Sequence, residues 1–538
     1  MTGGMVHTRN IMNTIHILDC TLRDGGYCNQ WQFGLENTKK IIKGLADANI
    51  DIIECGFLTN RVSYDPDITK YSTLNNIDSI LPSNRRGQLY VVMVNYGEYN
   101  ASDLPECDGS SIDGIRVAFH KKDMEPALKL CKEIQTKGYK VFVQAMVSLS
   151  YTDREFLALI ECVNELSPYA FYIVDSFGMM KKKNLLRLYY MVEHNLKEDI
   201  WIGFHSHNNM QLAYSNAQSL ADMQTSRNLI IDSSVYGMGR GAGNLNTELF
   251  VEYLNENNGG NYVLKPILTV IDEILDIFLR NNYWGYSLSN YLSAAHNIHP
   301  NYAGYLADKQ TLTLEAMDEI FSMMVQEKQS EFDREYIEEL YLRYMDKGVV
   351  FESHRAELAD RVQGKKILLI APGRSAEEEK SRISQFAILK DVVTVSVNFN
   401  YPYSVSDFIF VSNLRRFQQL ETDKRKKCIV TTNISTTDAY FRPNYFELLS
   451  PNDAVRDNAG LMAMRLFIML GVKGIFLAGF DGYSRTAEEN YIIQQQTFVT
   501  KNAIIDARNH GMMEMINELR KEVHVEFLTS SKYLSWMR

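Results

Sequence analysis

Residues 201–244 read WIGFHSHNNMQLAYSNAQSLADMQTSRNLIIDSSVYGMGRGAGN. Two apolar, β-branched runs, WIGFHSHN (201–208) and LIIDSSVYGMG (229–239), flank a stretch with helical patterning. Strand, helix and strand in that order imply a parallel βαβ unit, because parallel neighbours need a long crossover between them. The same alternation extends back to residue 15, through IHILDC (15–20), IDIIECGF (50–57), QLYVVMV (88–94), GIRVAF (114–119), KVFVQAMV (140–147) and AFYIVDSFG (170–178). Helix-like segments lie among them at 36–49, 124–136, 153–165 and 183–195. Eight such strands in roughly 250 residues match a closed (β/α)8 TIM barrel. An open doubly wound sheet is the rival, but no glycine-rich nucleotide fingerprint follows the first strand.

Beyond the barrel the pattern changes twice. Residues 261–362 are dominated by helical patterning and form an expected annex. At about residue 363 short strand-like runs return, in KKILLIAPG, VVTVSVN, DFIFVS, KCIVTTN and GIFLAGFDGY. The expectation is therefore a barrel at 1–260, an annex at 261–362 and a Rossmann-like α/β domain at 363–538. A chain of 538 residues with 45% hydrophobic and 23% charged residues has ample material for these cores. Its net charge of -10 argues against nucleic-acid binding, while a local site can still be positive and take small anionic substrates. The seven cysteines show no CxxC pair, which reads as a reducing compartment. No signal-like core or membrane-length apolar run is present, so a cytoplasmic protein without a membrane partner is expected.

Three clusters fall at the C-terminal ends of barrel strands, where this fold places its chemistry. Arg23 and Asp24 follow the first strand, His205 and His207 end the seventh, and a glycine-rich loop leading to Asn244 follows the eighth. Two histidines two residues apart on a strand point to one face. Imidazoles with a carboxylate suit Zn²⁺, Mn²⁺ or Fe²⁺, and further oxygen ligands favour Mg²⁺ or Mn²⁺. Asp24, His205 and His207, with Asn244 adding an amide oxygen, are the expected metal ligands. Arg23 beside them could clamp a carboxylate, stabilise an enolate oxygen as negative charge develops, or form a salt bridge at the barrel rim. Glu54, Arg116 and Asp175 are costly to bury alone and are expected to form a polar network that supports the site.

LDCTLRDGG, GFHSHNNMQLAYSNA and GMGRGAGNLNTE resemble the three signatures of the metal-dependent lyases and synthases related to hydroxymethylglutaryl-CoA lyase. That group includes isopropylmalate synthase, homocitrate synthase and 4-hydroxy-2-oxovalerate aldolase. IRVAFHKKD and YIVDSFGMM are most similar to the aldolase, and the resemblance covers about residues 15–255. It implies a divalent metal, Mn²⁺ or Mg²⁺ with Zn²⁺ or Co²⁺ as alternatives, on Asp24, His205 and His207. It also implies retro-aldol cleavage of a 4-hydroxy-2-oxo acid to a 2-oxo acid enolate and an aldehyde, in a homo-oligomer.

Two departures stand out. The aldolases carry a histidine base soon after the RDG signature, whereas this chain has Tyr27, Cys28 and Asn29 there. Tyr27 or Cys28, or Tyr286 or His296 in the annex, are the replacements considered. The lyase's loop cysteine is also absent, with Met238 in its neighbourhood. The alternatives are an acyl-CoA-condensing synthase and an inactive barrel serving as a scaffold. The C-terminal stretches around APGRS (371–375), SVNFN (396–400) and 458–483 resemble the nucleotide-sugar-binding fold of some bacterial sialyltransferases. That resemblance implies a nucleotide-sugar site around Gly373, Ser375, Asn398 and Asp481.

Overall fold

The computed structural model describes residues 14–346, 354–486, 489–492, 500 and 502–536. It divides into two compact units, one of residues 1–304 with 325–332 and one of residues 305–324 with 333–538. The stretch 261–362, read as one annex, is shared between the two.

Eight parallel strands build the first unit. They are β1 (Ile15–Asp19), β2 (Ile52–Leu58), β3 (Leu89–Asn95), β4 (Gly114–Phe119), β5 (Lys140–Ala145), β6 (Ala170–Asp175), β7 (Trp201–Ser206) and β8 (Leu229–Ser233). Each pairs with its sequence neighbour, and β1 pairs with both β2 and β8, which closes the barrel and leaves no free edge. A two-residue strand, Lys70–Tyr71, adds to the end of β2. Helices Leu35–Asp47, Met124–Thr136, Asp153–Leu166, Lys182–Asn195, Ala213–Ala221 and Thr247–Asn257 cover the outside. Among the described residues the connections after β2 and β3 carry only 3₁₀ turns, at Leu74–Asn76 and Ala101–Asp103.

Alternation along each strand separates two cores. The outward residues pack with the helices into one large apolar cluster. The inward residues include Leu18, Cys20, Ile52, Val91, Phe142, Ala170, Tyr172, Val174 and Ile230, which pack with one another. Gly203 also faces inward, and a Cβ there would stand 2.3 Å from the Tyr172 ring, so the glycine makes room for that ring. Glu54, Arg116 and Asp232 share this interior at 1% exposure or less. A layer that other barrels fill with branched apolar side chains is charged here.

Among the described residues the second unit holds six parallel strands. They are β9 (Lys366–Ile370), β10 (Val392–Val397), β11 (Phe408–Val411), β12 (Cys428–Val430), β13 (Gly474–Ala478) and β14 (His524–Phe527). Their order is β12-β11-β10-β9-β13-β14, an open parallel sheet whose order reverses at β9. Helix Ala459–Met469 is capped by Asn458, whose Oδ1 accepts from the Gly460 and Leu461 N–H groups. None of the seven cysteines, all among the described residues, forms a disulfide, and no described helix is long and apolar enough to cross a membrane.

Candidate metal centre at the barrel mouth

The chain leaves β1 through a tight helical turn, Thr21–Asp24, which brings the Asp24 carboxylate back over the barrel end. His205 lies on β7 and His207 just past its end, where His207 forms a backbone bridge with Asn244. One ligand atom each from Asp24, His205 and His207 falls within 4.8 Å of the others, and all three residues are buried. Asp24 Oδ2 is 4.0 Å from His205 Nε2 and 3.7 Å from His207 Nδ1. The glycine loop makes this approach possible. Gly243 has φ 84°, and a Cβ there would lie 1.9 Å from the Gly237 carbonyl oxygen.

Several features fit this cluster to a cation. His207 Nδ1 and Asn244 Oδ1 are buried without a hydrogen-bond partner, which is costly unless something fills the space between them. Asn244 Nδ2 donates to Asp24 Oδ2 at 2.6 Å, and rotation of the amide would exchange its nitrogen and oxygen. His205 Nδ1 lies 2.8 Å from Asp232 Oδ2. A donor bond from Nδ1 to that carboxylate leaves the Nε2 lone pair facing the cluster, as in carboxylate–histidine–metal arrangements.

Charge supplies a second argument. Asp24 accepts from Arg23 Nη1 at 2.9 Å, and Arg23 Nε donates to Glu54 at 2.8 Å. Glu54 also meets Arg116 Nη1 at 2.9 Å, and Arg116 Nη2 donates to Asp232, the partner of His205. The path therefore runs from one end of the cluster, through the barrel interior, and back to the other end. Three carboxylates stand against two guanidiniums, which leaves one buried negative charge for a cation to meet. Burial alone would raise the Asp24 pKa, but Arg23, then His207 and His205, hold it well below the ordinary carboxylate range. Burial lowers the His207 pKa to about 3, against the pull of Asp24, so the imidazole is neutral and able to ligate. Arg23 Nη2 has no hydrogen-bond partner and remains a donor at the edge of the cluster.

The other residues singled out from the sequence take varied positions. Glu54 and Arg116 are links in the charged path. Asp175 is outside it: its carboxylate accepts from the Met179 and Met180 N–H groups at 3.0 and 2.9 Å, and burial raises its pKa to about 6. Tyr27 packs edge-on against Trp31, with the Arg240 guanidinium 5.2 Å above its ring. Burial pushes its phenol pKa up, against Arg240. The Cys28 thiol donates to the Gly239 carbonyl at 3.2 Å. Tyr286 is 46% exposed, and no described contact links it to the Asp24 cluster. His296 follows helix Leu288–Ala295 as its C-cap.

In the second unit, Ser375 and Asp481 come together at the strand ends. The Ser375 N–H donates to Asp481 Oδ2 at 2.9 Å, its hydroxyl donates to Oδ1, and a Cβ on Gly373 would meet the same carboxylate. Asn398 follows β10 at φ 64°, and its Oδ1 accepts from the Ser412 N–H at 3.4 Å.

Sequence reasoning missed Asp232 and His299, and gave Arg240 of the glycine-rich loop no role of its own. Asp232 stands two residues past inward-facing Ile230, so strand alternation would have found it. His299 meets Arg240 across 59 residues, and nothing local in the sequence reveals that contact. Asp232→Asn is expected to weaken divalent-metal binding 10–100-fold by equilibrium dialysis, since an amide neither fixes the His205 tautomer nor adds to its basicity. Unchanged affinity would mean that His205 is oriented without Asp232.

Residues 117–272 match the sequence model of the HMGL-like family. A 4-hydroxy-2-oxovalerate aldolase of Geobacillus genomosp. 3 is 28% identical over 250 residues, 45% of this chain and 70% of that protein. An oxaloacetate decarboxylase of Mycobacterium tuberculosis is 25% identical over 242 residues, 44% of this chain and 69% of that protein. The crystal structure of the HMG-CoA lyase from Brucella melitensis is 17% identical with a TM-score of 0.39, covering 48% of this chain and 96% of the lyase. From β4 of the barrel to just beyond its last helix, residues 117–272, the chain is thus similar to the HMGL-like family.

Proposed function

We propose that the barrel is a divalent-metal-dependent aldolase that breaks or forms a carbon–carbon bond in a 4-hydroxy-2-oxo acid through a pyruvate-type enolate. The observation that carries this reading is the buried Asp24, His205 and His207 cluster, with its surplus negative charge and the unpartnered Arg23 Nη2 beside it. The HMGL-like match and the aldolase and decarboxylase relatives support a carbon–carbon lyase.

A divalent ion held by these three residues would supply Lewis acidity toward the oxygens of a 2-oxo acid. Mn²⁺ and Mg²⁺ fit if water and Asn244 add oxygen ligands, and Zn²⁺ or Co²⁺ fit the imidazole pair. Arg23 has the remaining task of stabilising charge. Its Nη2 is buried without a hydrogen-bond partner, and a developing enolate oxygen gains most from an N–H donor that is already desolvated. Glu54 and Asp24 hold that guanidinium on two sides, so little reorganisation is needed.

Enolate formation can be tested without knowing the aldehyde. With Mn²⁺, the full chain is expected to exchange the methyl protons of pyruvate with deuterium and to decarboxylate oxaloacetate. Chelation with EDTA should stop both, and added Mn²⁺ should restore them. Neither reaction appearing with Mn²⁺, Mg²⁺, Zn²⁺ or Co²⁺ would rule the reading out.

A further inference from the structure

The retro-aldol step needs a group that accepts the proton of the substrate hydroxyl. The two side chains next to the Arg23–Asp24 turn are poorly suited to that task. The Tyr27 ring packs against Trp31 beneath the Arg240 guanidinium, and its phenol pKa is raised, while the Cys28 thiol already donates to the Gly239 carbonyl.

A histidine from beyond the barrel reaches the same mouth. His299 immediately precedes helix Pro300–Lys309, and its backbone N–H donates to the Gln329 carbonyl at 2.8 Å. Its ring stands edge-on to Phe177, which follows the end of β6, at 5.9 Å between centroids. Its Nε2 is 3.2 Å from Arg240 Nη1. Arg240 belongs to the glycine loop after β8 and lies over Tyr27, while its Nη2 donates to the Ser176 carbonyl at 3.4 Å. The residue before it, Gly239, abuts the metal cluster, where a Cβ would fall 3.2 Å from Asp24 Oδ2. His299 and Arg240 therefore share the edge of the site with its ligands.

We propose that His299 is the general base that takes the hydroxyl proton of the substrate, and that Arg240 is its partner until an anionic substrate arrives. The inference rests on the aldolase reading given above.

The geometry around the ring supports this role. Nε2 lies 3.2 Å from Arg240 Nη1 and Nδ1 lies 3.2 Å from the Asn301 backbone nitrogen; a neutral ring accepts at only one of them, and accepting from the charged guanidinium places the lone pair on Nε2 and the ring proton on Nδ1. Among the described residues no carboxylate pairs with the imidazole. Burial, then the charge of Arg240, hold it well below the ordinary histidine value, so it is neutral and carries a lone pair at pH 7. Glu331, Lys122 and Asp123 act on His120 next to it. A substrate carboxylate that pairs with Arg240 would cancel its charge and leave Nε2 facing the substrate, as a stronger base than in the free enzyme.

The step then balances. The hydroxyl proton passes to Nε2, and the O–H electron pair becomes the second bond of the aldehyde carbonyl. The C3–C4 bond breaks, and its pair enters the enolate of the 2-oxo acid. The imidazolium returns its proton to C3, giving pyruvate from a 4-hydroxy-2-oxo acid and restoring the neutral ring.

Two reactions of the Mn²⁺-loaded chain separate this role from the rest of the site. Cleavage of 4-hydroxy-2-oxovalerate needs the base, whereas oxaloacetate decarboxylation forms the same enolate without deprotonating a hydroxyl. His299→Gln and His299→Ala are expected to lower cleavage 10²–10⁴-fold and decarboxylation less than 10-fold. Equal losses in both reactions, or cleavage at the wild-type rate, would overturn the assignment. Wild-type protein inactive in both reactions would mean instead that the aldolase reading has failed. A second measurement needs no turnover. In the metal-free chain, the histidine NMR signal lost in His299→Gln should titrate below 6.5 in wild type and move up in Arg240→Gln. A signal that stays in place in Arg240→Gln counts against the pairing.

Discussion

Asp24→Asn is expected to reduce metal-dependent oxaloacetate decarboxylation by at least about 1000-fold, roughly 4 kcal/mol of barrier. The substitution keeps the shape of the side chain and removes its charge. The amide retains one neutral oxygen ligand, but the surplus negative charge of the buried path disappears with the carboxylate. A divalent ion would then enter a site that is already neutral, beside an Arg23 guanidinium that has lost one of its two carboxylates. His207→Ala should have a comparable effect by another route, since it removes the unpartnered Nδ1 and leaves the charge in place. Metal content after dialysis and the decarboxylation rate are the two readouts. Asp24→Asn should also be no less stable than the wild type when both are free of metal, because a buried charge without a matching cation has been removed. A variant that retained metal and rate would exclude Asp24 as a ligand.

The second large effect concerns stability. Arg116→Met is expected to cost about 3–5 kcal/mol, read as a lower urea midpoint with an unchanged slope. Arg116 is fully buried between Glu54 and Asp232, and its guanidinium carbon lies 4.9 Å from the centroid of the Tyr172 ring. Methionine fills much of the volume but leaves two carboxylates in the barrel interior without the cation that separates them. Arg116→Lys should also be costly, because one ammonium cannot reproduce a planar fork that reaches both acids. Combining Arg116→Met with Asp232→Leu should recover part of the loss, since the second change removes one stranded charge. A loss under about 1 kcal/mol for Arg116→Met would mean that water reaches this layer and solvates the acids.

Much of the barrel was legible because its strands obey a local rule. Parallel strands covered on both faces are written as short runs of Ile, Val and Phe, and all eight runs correspond to strands. Strand β14 was missed for the opposite reason. In HVEF only Val525 and Phe527 are buried, and four residues with His524 and Glu526 exposed carry too little apolar signal. The cluster of Asp24, His205 and His207 was visible because each lies in a distinctive motif near a strand end. Asp175 shows the limit of such reading. An acid at the end of β6 looks ready to serve the site, yet its nearest unsatisfied donors are the backbone N–H groups four and five residues ahead, and it turns to them. The Arg240–His299 pair depends on where a distant segment returns to the mouth, which is a tertiary fact.

The charged path through the barrel has a consequence for redesign. Its members alternate in sign from Asp24 through Arg23, Glu54 and Arg116 to Asp232, so each answers to its neighbours. A library that changes one of the five at a time would return mostly failures and suggest an interior that tolerates nothing. Neighbouring opposites exchanged together for apolar residues of matching volume keep the balance and are the changes to screen. Glu54 with Arg116 is the first such pair, because both lie in the interior and neither belongs to the proposed ligand set.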